Sequence, residues 1–412
     1  MNSRTPHRPD DPRRSDALLR PDALLRSGAP LRSAAPRRRT TRTAVAVAIA
    51  VSALTAGTLA PAAVAAPGAA GPDATQRRLN AMVGPGRAPG ALAAVRERDG
   101  STRTYSAGVG NLATGAQVPR DGQVRIGSVT KTFTAVVVLQ LVGEGRIRLD
   151  GPVETYLPGL LRGQGIDGRH ITVRQLLQHT SGLPDYEEDV TPDILRRHYL
   201  SPRDTLDTAL RHGADFAPGT GWGYSNTNYL VAGMIVEEVT GRPLTAEFDR
   251  RIAQRIGLRH TYFPAPAETA LRGPHPHGYH RDAPDGPLRD VTEIDPSAAW
   301  AAGAMVSTGS DLTRFFSALM TEGRLLAGPE LEQLRTTVPT GVPGYDYGLG
   351  IMRTQLPCHR TAWWHNGSIP GYGTWSAATE DGRAASVTTT ADPTGQADLQ
   401  PAEDAVNAAL CR

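Results

Sequence analysis

Lysine is almost absent from this 412-residue chain: 43 of its 44 lysine and arginine residues are arginine, and the exception is Lys131. An arginine guanidinium stays protonated at every pH that a protein meets, whereas a buried ammonium group can lose its proton and act as a base. A chain that uses arginine for every other basic position is expected to keep a lysine only where arginine fails. Lys131 is therefore the first candidate for a functional side chain.

Cysteine is scarce as well, with only Cys358 and Cys411 in the sequence. Two cysteines exclude a cysteine-based metal cluster and suit one disulfide in an oxidising compartment; two buried free thiols are the alternative. His275, His277 and His280 lie close together, but their Pro/Gly-rich surroundings favour an exposed loop over a metal site. We predict neither a metal nor a cofactor.

An excess of positive charge is confined to the N-terminal part of the chain. The first 65 residues hold 11 arginines, four aspartates and no glutamate, a net charge of +7, which leaves −4 for the remainder. The basic balance of the whole sequence therefore comes from this segment. The rest of the chain offers no reason to expect a nucleic-acid partner.

The same segment has the layout of an export signal. Arginines at 37–39 and 42 precede an apolar run over 44–60 and an Ala-Val-Ala sequence at 63–65, the order of the three parts of a cleaved signal peptide. About seventeen small residues are few for a membrane span, although an uncleaved anchor is the alternative. We predict a leader over 1–65 with its signal peptide at about 37–65, a secreted product, and one domain over 66–412.

Ser128 lies three residues before Lys131 in the sequence. Positions i and i+3 of a helix are one turn apart, so a helix that starts near Ser128 would place the amine beside the hydroxyl. A mostly apolar run with helical spacing follows, from Phe133 to Val142, and indicates a buried helix. Its N-terminal end favours developing negative charge, which suits a serine activated by a lysine. The pair alone can arise by chance.

The hydrophobic pattern predicts strands at both ends of the chain around a largely helical middle. Towards the N-terminus it predicts a helix over 74–83 and strands over 91–98 and 102–110; the helical middle runs from 172 to 258. Further on it predicts a helix over 310–320, strands over 347–354, 361–366, 375–379 and 385–390, and a last helix that ends at Leu410. These strands suggest one sheet built from the two chain ends, with a helical insertion at about 150–300.

Acyl transfer by a lysine-activated serine needs a proton relay to the leaving group and an oxyanion hole. Tyr224-Ser225-Asn226 lies in a loop before a helical stretch and can present a phenol and an amide to a cleft. His365-Asn366-Gly367-Ser368 ends an aromatic strand, where a glycine allows close approach of a substrate. We expect Asn366, Gly367 and Ser368 to border the substrate, and the backbone N–H groups of Ser128 and Ser368 to be the oxyanion donors.

Together, and in this order, these motifs resemble those of the serine penicillin-recognising enzymes, which include D-alanyl-D-alanine carboxypeptidases, class C β-lactamases and related esterases. The segments that read like the secreted carboxypeptidase/transpeptidase type are 127–131, 156–160, 171–175, 179–183, 224–228 and 347–350, and the cysteine placement is also similar. The resemblance implies an α/β fold, DD-peptidase or class C β-lactamase-like, in which helices flank an antiparallel sheet. An all-helical domain completes it, and the active-site cleft lies between the two.

The resemblance also implies a role for each site residue. Ser128 is the nucleophile, Lys131 the base that deprotonates it, and Tyr224 the relay that passes a proton to the leaving amine. Asn226 holds the substrate amide. His365 takes the place of a lysine in the third motif of other family members.

Substrate binding is where the sequence departs from the family pattern. Trp300 matches a cleft-wall tryptophan, but Asn366 stands where the family usually has threonine or serine. An arginine that helps bind a terminal carboxylate in the nearest relatives aligns with Met352. Arg353 is a candidate for that role, although adjacent strand residues point to opposite faces of a sheet.

We therefore predict a serine acyl-transfer hydrolase without a cofactor. The resemblance implies a monomeric D-alanyl-D-alanine carboxypeptidase that acts on peptidoglycan stem peptides and is acylated by β-lactams. The changes at Met352 and Asn366 keep open an esterase or a D-amino-acid amidase or peptidase of the same family. A non-catalytic β-lactam or cell-wall binding module is disfavoured because Ser128, Lys131 and Tyr224 are intact. We interpret His179, in the segment 179–183, as a residue that stabilises a turn.

Overall fold

The structure is a computed structural model that describes residues 73–190, 194, 198–283, 286–393 and 396–412. The strands, in chain order, are β1 (Gly90–Arg96), β2 (Thr102–Asn111), β3 (Ala116–Gln117), β4 (Val124–Arg125), β5 (Tyr279–His280), β6 (Arg289–Asp290), β7 (Val306–Ser307), β8 (Val338–Pro339), β9 (Asp346–Tyr347), β10 (Met352–Gln355), β11 (Thr361–Ile369), β12 (Tyr372–Thr379) and β13 (Ala384–Thr389). The predicted leader and the domain boundary at 65 lie outside the described residues.

The helices surround these strands and also fill the middle of the chain. They are α1 (Ala74–Ala81), α2 (Thr130–Gly143), α3 (Val173–Leu177), α4 (Pro202–Ala209), α5 (Thr227–Thr240), α6 (Leu244–Phe248), α7 (Gln254–Ile256), α8 (Trp300–Gly303), α9 (Gly309–Met320), α10 (Gly328–Arg335) and α11 (Gln396–Leu410). Short 3₁₀ turns cover Gly127–Val129, Val153–Thr155 and Tyr186–Glu188, and a π-helical turn covers Asp249–Ala253.

An antiparallel sheet of nine strands forms the centre of the described chain, in the order β3-β2-β1-β13-β12-β11-β10-β9-β8. The two ends of the chain meet where β1 pairs with β13, from Ala91 opposite Thr389 to Arg96 opposite Ala384. The prediction of one sheet built from both chain ends is confirmed.

Helices cover both faces of the sheet. Helix α9 packs on one face, and α1 and α11 pack on the other. Strand β1 is consequently buried on both of its faces, which explains why its sequence GALAAVR shows no alternation of polar and apolar residues. A disulfide joins Cys358, just before β11, to Cys411, just after α11, with 5.7 Å between the Cα atoms.

Helix α2 runs through the interior of the molecule. All of its residues except Gln140, Val142 and Gly143 are buried, which is the pattern of a helix surrounded by protein on every side. Lys131 lies in its first turn with no solvent exposure. Such a helix holds its first turn in one place because its whole surface is packed.

Two of the predicted elements differ from the structure. Within the described part of the predicted helical middle, a stretch without helix separates the end of α4 at Ala209 from the start of α5 at Thr227. The strand predicted over 347–354 is interrupted at 348–351, where the backbone N–H of Gly350 bonds to the carbonyl of Leu177. Asn226, at the end of that stretch, bonds to Lys131, and the carbonyl of Gly350 accepts from Thr132, both in the first turn of α2, so local periodicity yields to tertiary contacts. Among the described helices, none is both long and apolar enough to span a membrane.

Candidate active site

Lys131 is the centre of the site. Its Nζ lies 2.9 Å from the Ser128 hydroxyl, 2.6 Å from Oδ1 of Asn226 and 2.8 Å from the carbonyl oxygen of Ala302. The Asn226 and Ala302 oxygens can only accept hydrogen bonds. They fix two directions of the amine, and the third direction points at Ser128. This geometry orients the nitrogen so that a neutral amine would aim its lone pair at the serine hydroxyl.

Ser128 is held where a turn and a strand meet backbone to backbone. It lies in the 3₁₀ turn that precedes α2, against the end of β11. A Cβ placed on Gly367 would lie 2.0 Å from the carbonyl oxygen of Ile126, and one placed on Gly127 would lie 2.7 Å from the carbonyl oxygen of Ser368. Gly127 also has a positive φ of 49°. Both positions require glycine because side chains would force the turn and the strand apart.

The amide of Asn226 is engaged within the protein. Its Oδ1 accepts from Lys131, and its Nδ2 donates to Asp185 Oδ2 at 3.1 Å and to Glu187 Oε2 at 3.1 Å. Asp185 is buried, and burial raises the pKa of its carboxyl group. Glu187 is exposed. Asn226 is therefore already hydrogen-bonded to two acidic residues that sequence reasoning missed. The predicted contact with the substrate amide would be made in addition to these bonds.

Tyr224 lies against the same amine. Lys131 Nζ is 4.9 Å from the centroid of its ring, and the residue is 5 % exposed. The imidazole of His179 stacks on the Tyr224 ring, with 4.3 Å between the centroids and 28° between the planes. His179 is thus part of the site's immediate surroundings. Its φ of 59° places it in a tight turn, as we interpreted it, and the stacking on Tyr224 is a further contact that the sequence did not predict.

His365 is buried on β11 with a fixed pair of partners. Its Nε2 lies 3.0 Å from the Tyr347 hydroxyl, and its Nδ1 bonds to the carbonyl of Asn366. Burial, followed by the positive charge of Lys131, lowers the pKa of His365 to about 3. It is therefore neutral at physiological pH, and it differs in charge from the lysine whose place the resemblance assigns to it.

The structure places Arg353 on the face of the sheet opposite to that of Met352. Its guanidinium donates to Asp346, and it lies opposite Trp363 in the β10–β11 pair, whereas the buried Met352 lies opposite Trp364. Successive strand residues point to opposite faces. Arg353 consequently belongs to the other face of the sheet and is not a substitute for the arginine that position 352 lacks.

Trp300 does not form a free wall of a cleft. It begins helix α8, and the end of its indole lies against Gly233 of α5, where an added Cβ would be 2.8 Å from its ring. Its φ of 27° is unusual for a large residue. The same helix supplies the Ala302 carbonyl that accepts from Lys131. Trp300 is half-buried, and its contact with substrate stays a prediction.

The three histidines near position 277 do not share one exposed loop. His280 is buried and bonds through Nδ1 to Asp392, whereas His277 contacts Asp290 and Asn111. The expectation of a common exposed loop is therefore wrong for His280. Within the part of the chain that the structure describes, there is no group of three or more potential metal ligands.

Sequence reasoning missed the residues that surround the predicted ones. Ala302 contributes only a backbone oxygen, so its side chain carries no signal. Asp185, Glu187 and Tyr347 lie far along the chain from Ser128 and carry no spacing that marks them. The segments 179–183 and 347–350 read like the family's, yet a resemblance to a segment does not tell which of its side chains faces the site.

Comparisons with known proteins show which family and which solved structures the chain is similar to. The family model described as "Beta-lactamase" matches residues 75–410. The structure resembles a D-stereospecific amidohydrolase from Streptomyces sp., with 41 % identity and a TM-score of 0.74 over 81 % of this chain and 98 % of that one. Penicillin-binding protein 4 of Amycolatopsis lactamdurans is 32 % identical over 60 % of this chain and 64 % of its own length. Esterase EstB of Burkholderia gladioli is 32 % identical over 55 % and 62 %. The matched part thus spans less than two thirds of these two curated relatives.

Proposed function

The chain belongs to the beta-lactamase family of serine penicillin-recognising hydrolases, and from this premise we propose that it cleaves amide bonds of D-configured substrates that carry a free α-amino group. The observation that carries this proposal is the acidic pair on Asn226. Glu187 is exposed, and its carboxylate lies 3.1 Å from the Asn226 amide, whose oxygen contacts Lys131. An ammonium group beside Glu187 would form a charge-assisted contact next to the acylation site.

The other end of the substrate argues in the same direction. A carboxypeptidase has to hold a terminal carboxylate, and a cation is the strong partner for that group. Position 352, where the resemblance expects an arginine, carries a buried methionine, and Arg353 is engaged by Asp346 on the other face. An uncharged leaving group, such as ammonia or an amine from a simple amide, fits this site better than D-alanine.

In this proposal the Lys131 amine takes the proton of Ser128 while Oγ attacks the carbonyl carbon of the substrate. Negative charge develops on the carbonyl oxygen, which is stabilised by the backbone N–H groups of Ser128 and Ser368. The C–N bond then breaks, and a proton reaches the leaving amine through Tyr224. Water attacks the acyl-serine ester, the acid is released, and the serine regains its proton.

The test compares three substrates: D-alanine p-nitroanilide, its N-acetyl derivative, and acetyl-D-Ala-D-Ala. We expect the free-amine anilide to be preferred over the N-acetyl anilide by at least about tenfold in kcat/KM, the equivalent of about 1.4 kcal/mol. The isosteric change Glu187→Gln should remove most of that preference. It should leave the N-acetyl anilide within about twofold of the unaltered protein, because that substrate has no charge for Glu187 to contact.

Labelling with a fluorescent penicillin, followed by peptide mapping, tests the acyl-enzyme chemistry separately. An adduct on Ser128 is expected, and an adduct on Ser225 or Ser368 would contradict the assignment of the nucleophile. If acetyl-D-Ala-D-Ala is the best substrate and Glu187→Gln changes nothing, the amidase proposal is wrong and the carboxypeptidase predicted from the resemblance takes its place.

We also propose that the protein is exported. The arginine-rich and apolar parts of the leader support this, and the disulfide between Cys358 and Cys411 is a bond typical of oxidising compartments. Recovery from the culture medium without free thiols is the expected result. Retention inside the cell with two reactive thiols would contradict it.

A further inference from the structure

His179 is the residue of the site whose position the proposed reaction leaves unexplained. It is fully buried, it carries a positive φ, and its ring stacks on Tyr224. A histidine is more costly to bury than a phenylalanine because both ring nitrogens need partners. If stacking were its only task, an apolar ring would serve. The partners of its nitrogens therefore show what else it does.

The hydrogen bonds of His179 fix its tautomer. Nδ1 lies 3.2 Å from the backbone nitrogen of Ser225 and 3.1 Å from Nδ2 of Asn228. The backbone N–H of Ser225 can only donate, and Asn228 presents its Nδ2 to the same ring nitrogen while its Oδ1 accepts from the Ser181 hydroxyl. Both groups that face Nδ1 are thus donors, so Nδ1 must be the acceptor and the proton must lie on Nε2.

The same reasoning continues across the site to His365. Nε2–H of His179 donates to the Tyr347 hydroxyl, 3.2 Å away, and that hydroxyl can then donate to Nε2 of His365, 3.0 Å away. His365 consequently carries its proton on Nδ1, where it donates to the carbonyl of Asn366. The result is one chain of hydrogen bonds with a single direction, from the loop that carries Tyr224 to the strand that carries Asn366.

We propose that His179 is a positioning residue: its ring sets the plane of Tyr224, and its directed hydrogen bond through Tyr347 ties Tyr224 to His365 across the site. This proposal rests on the proposed function, because it assumes that Tyr224 passes a proton to the leaving group. Burial, together with the charge of Lys131, also lowers the pKa of His179, which agrees with a neutral imidazole. The charged or titratable groups that face His179 are those of Lys131, Tyr224, Tyr229, Tyr347 and His365.

The experiment uses a leaving group that needs a proton and one that does not. His179→Phe keeps a ring on Tyr224 but removes the three hydrogen bonds of the imidazole. We expect kcat for an amide substrate to fall about 100-fold, in the range of a lost proton relay, with KM changed by less than about threefold. The p-nitrophenyl ester of the same acyl group should lose less than about threefold, because p-nitrophenolate leaves without a proton.

A double-mutant cycle with Tyr224→Phe separates positioning from a merely structural role. If His179 acts through Tyr224, His179→Phe should cause less than about a threefold further loss on the amide in the Tyr224→Phe background. Additive losses, or equal losses on the amide and the ester, would overturn the proposal. Absence of penicillin labelling or of amide turnover in the unaltered protein would instead count against the proposed function.

Tyr347→Phe removes a single oxygen from the middle of this chain of hydrogen bonds. It replaces His179→Phe as the test variant if His179→Phe does not fold. We expect about a tenfold loss on the amide and none on the ester, in line with a weakened proton relay. Tyr345→Phe, which removes a hydroxyl that bonds to Glu403, is the matched control and should leave both rates unchanged. In ¹⁵N spectra of the imidazoles at pH 7, His179 should show Nε2–H and His365 Nδ1–H. The opposite tautomers, or an imidazolium, would overturn the assignment.

Discussion

At the scale of single residues, the surroundings of Lys131 in the structure explain why it is the one lysine of the sequence. Its amine is hydrogen-bonded to two oxygens that can only accept, those of Asn226 and Ala302, and to the hydroxyl of Ser128. A guanidinium has a planar fork of donors and cannot give up a proton, so it satisfies neither the geometry nor the chemistry. The retention of one lysine in a chain that otherwise uses arginine is explained if a deprotonated amine is required.

We predict that Lys131→Arg and Lys131→Met both reduce the acylation of Ser128 by at least about 1,000-fold, in the range of a lost general base. Lys131→Met keeps the apolar stem, so its thermal unfolding shows whether the loss is chemical. A sharper test is Lys131→Cys, because both native cysteines are in a disulfide and the new thiol is the one that alkylates. Aminoethylation of that thiol without reductant, followed by refolding, should restore acylation. A refolded product that remains inactive, or a Lys131→Arg protein that acylates normally, would contradict the need for an amine.

At the scale of elements, the approach of β11 to the 3₁₀ turn before α2 is what places the predicted oxyanion donors. A Cβ on Gly367 would meet the Ile126 carbonyl at 2.0 Å and the Ser128 nitrogen at 2.8 Å. Those contacts are with backbone atoms, which cannot move away as a flexible side chain can. The space between the strand and the turn is therefore fixed by the two glycines.

We predict that Gly367→Ala lowers the acylation rate by about 100-fold, the order of magnitude of a lost oxyanion donor. It should also destabilise the protein by about 1 to 3 kcal/mol through overpacking. Gly213→Ala is the matched control, because its nearest neighbour to an added Cβ is at 3.5 Å; its rate and stability should stay close to those of the unaltered protein. Acylation of the Gly367→Ala protein at the normal rate would show that the strand is not needed at this distance.

The elements also show where sequence reasoning succeeds and where it stops. The buried helix α2, the sheet built from the two chain ends and the disulfide between Cys358 and Cys411 follow from apolar periodicity and from composition, which are local signals. The interruption of the strand at 348–351 depends on a bond to Leu177, and the neutral state of His365 depends on burial and on the charge of Lys131. These features arise from tertiary contacts between distant segments, so no window of the sequence contains them.

At the scale of the whole molecule, the buried site has a cost that depends on pH. His179 and His365 are held neutral inside the protein, with pKa values lowered mainly by burial. In the unfolded chain each would take up a proton near pH 6.5. The unfolded state therefore binds more protons than the folded state below that pH, and acidification favours unfolding. His280 acts in the opposite sense, because its bond to Asp392 raises its pKa and its contribution to stability is lost as the pH rises.

We predict that the free energy of unfolding falls as the pH is lowered from about 6.5 to 4.5, by up to about 1.4 kcal/mol per pH unit for each of the two buried histidines. Urea unfolding at a series of pH values measures this slope. His365→Gln removes one of the two groups, so its slope should be smaller by up to that amount, whatever the change in absolute stability. The exposed His170→Gln is the control and should leave the slope unchanged. An equal slope in the His365→Gln protein would mean that His365 takes up its proton in the folded state, which would contradict the neutral imidazole on which the directed chain from His179 depends.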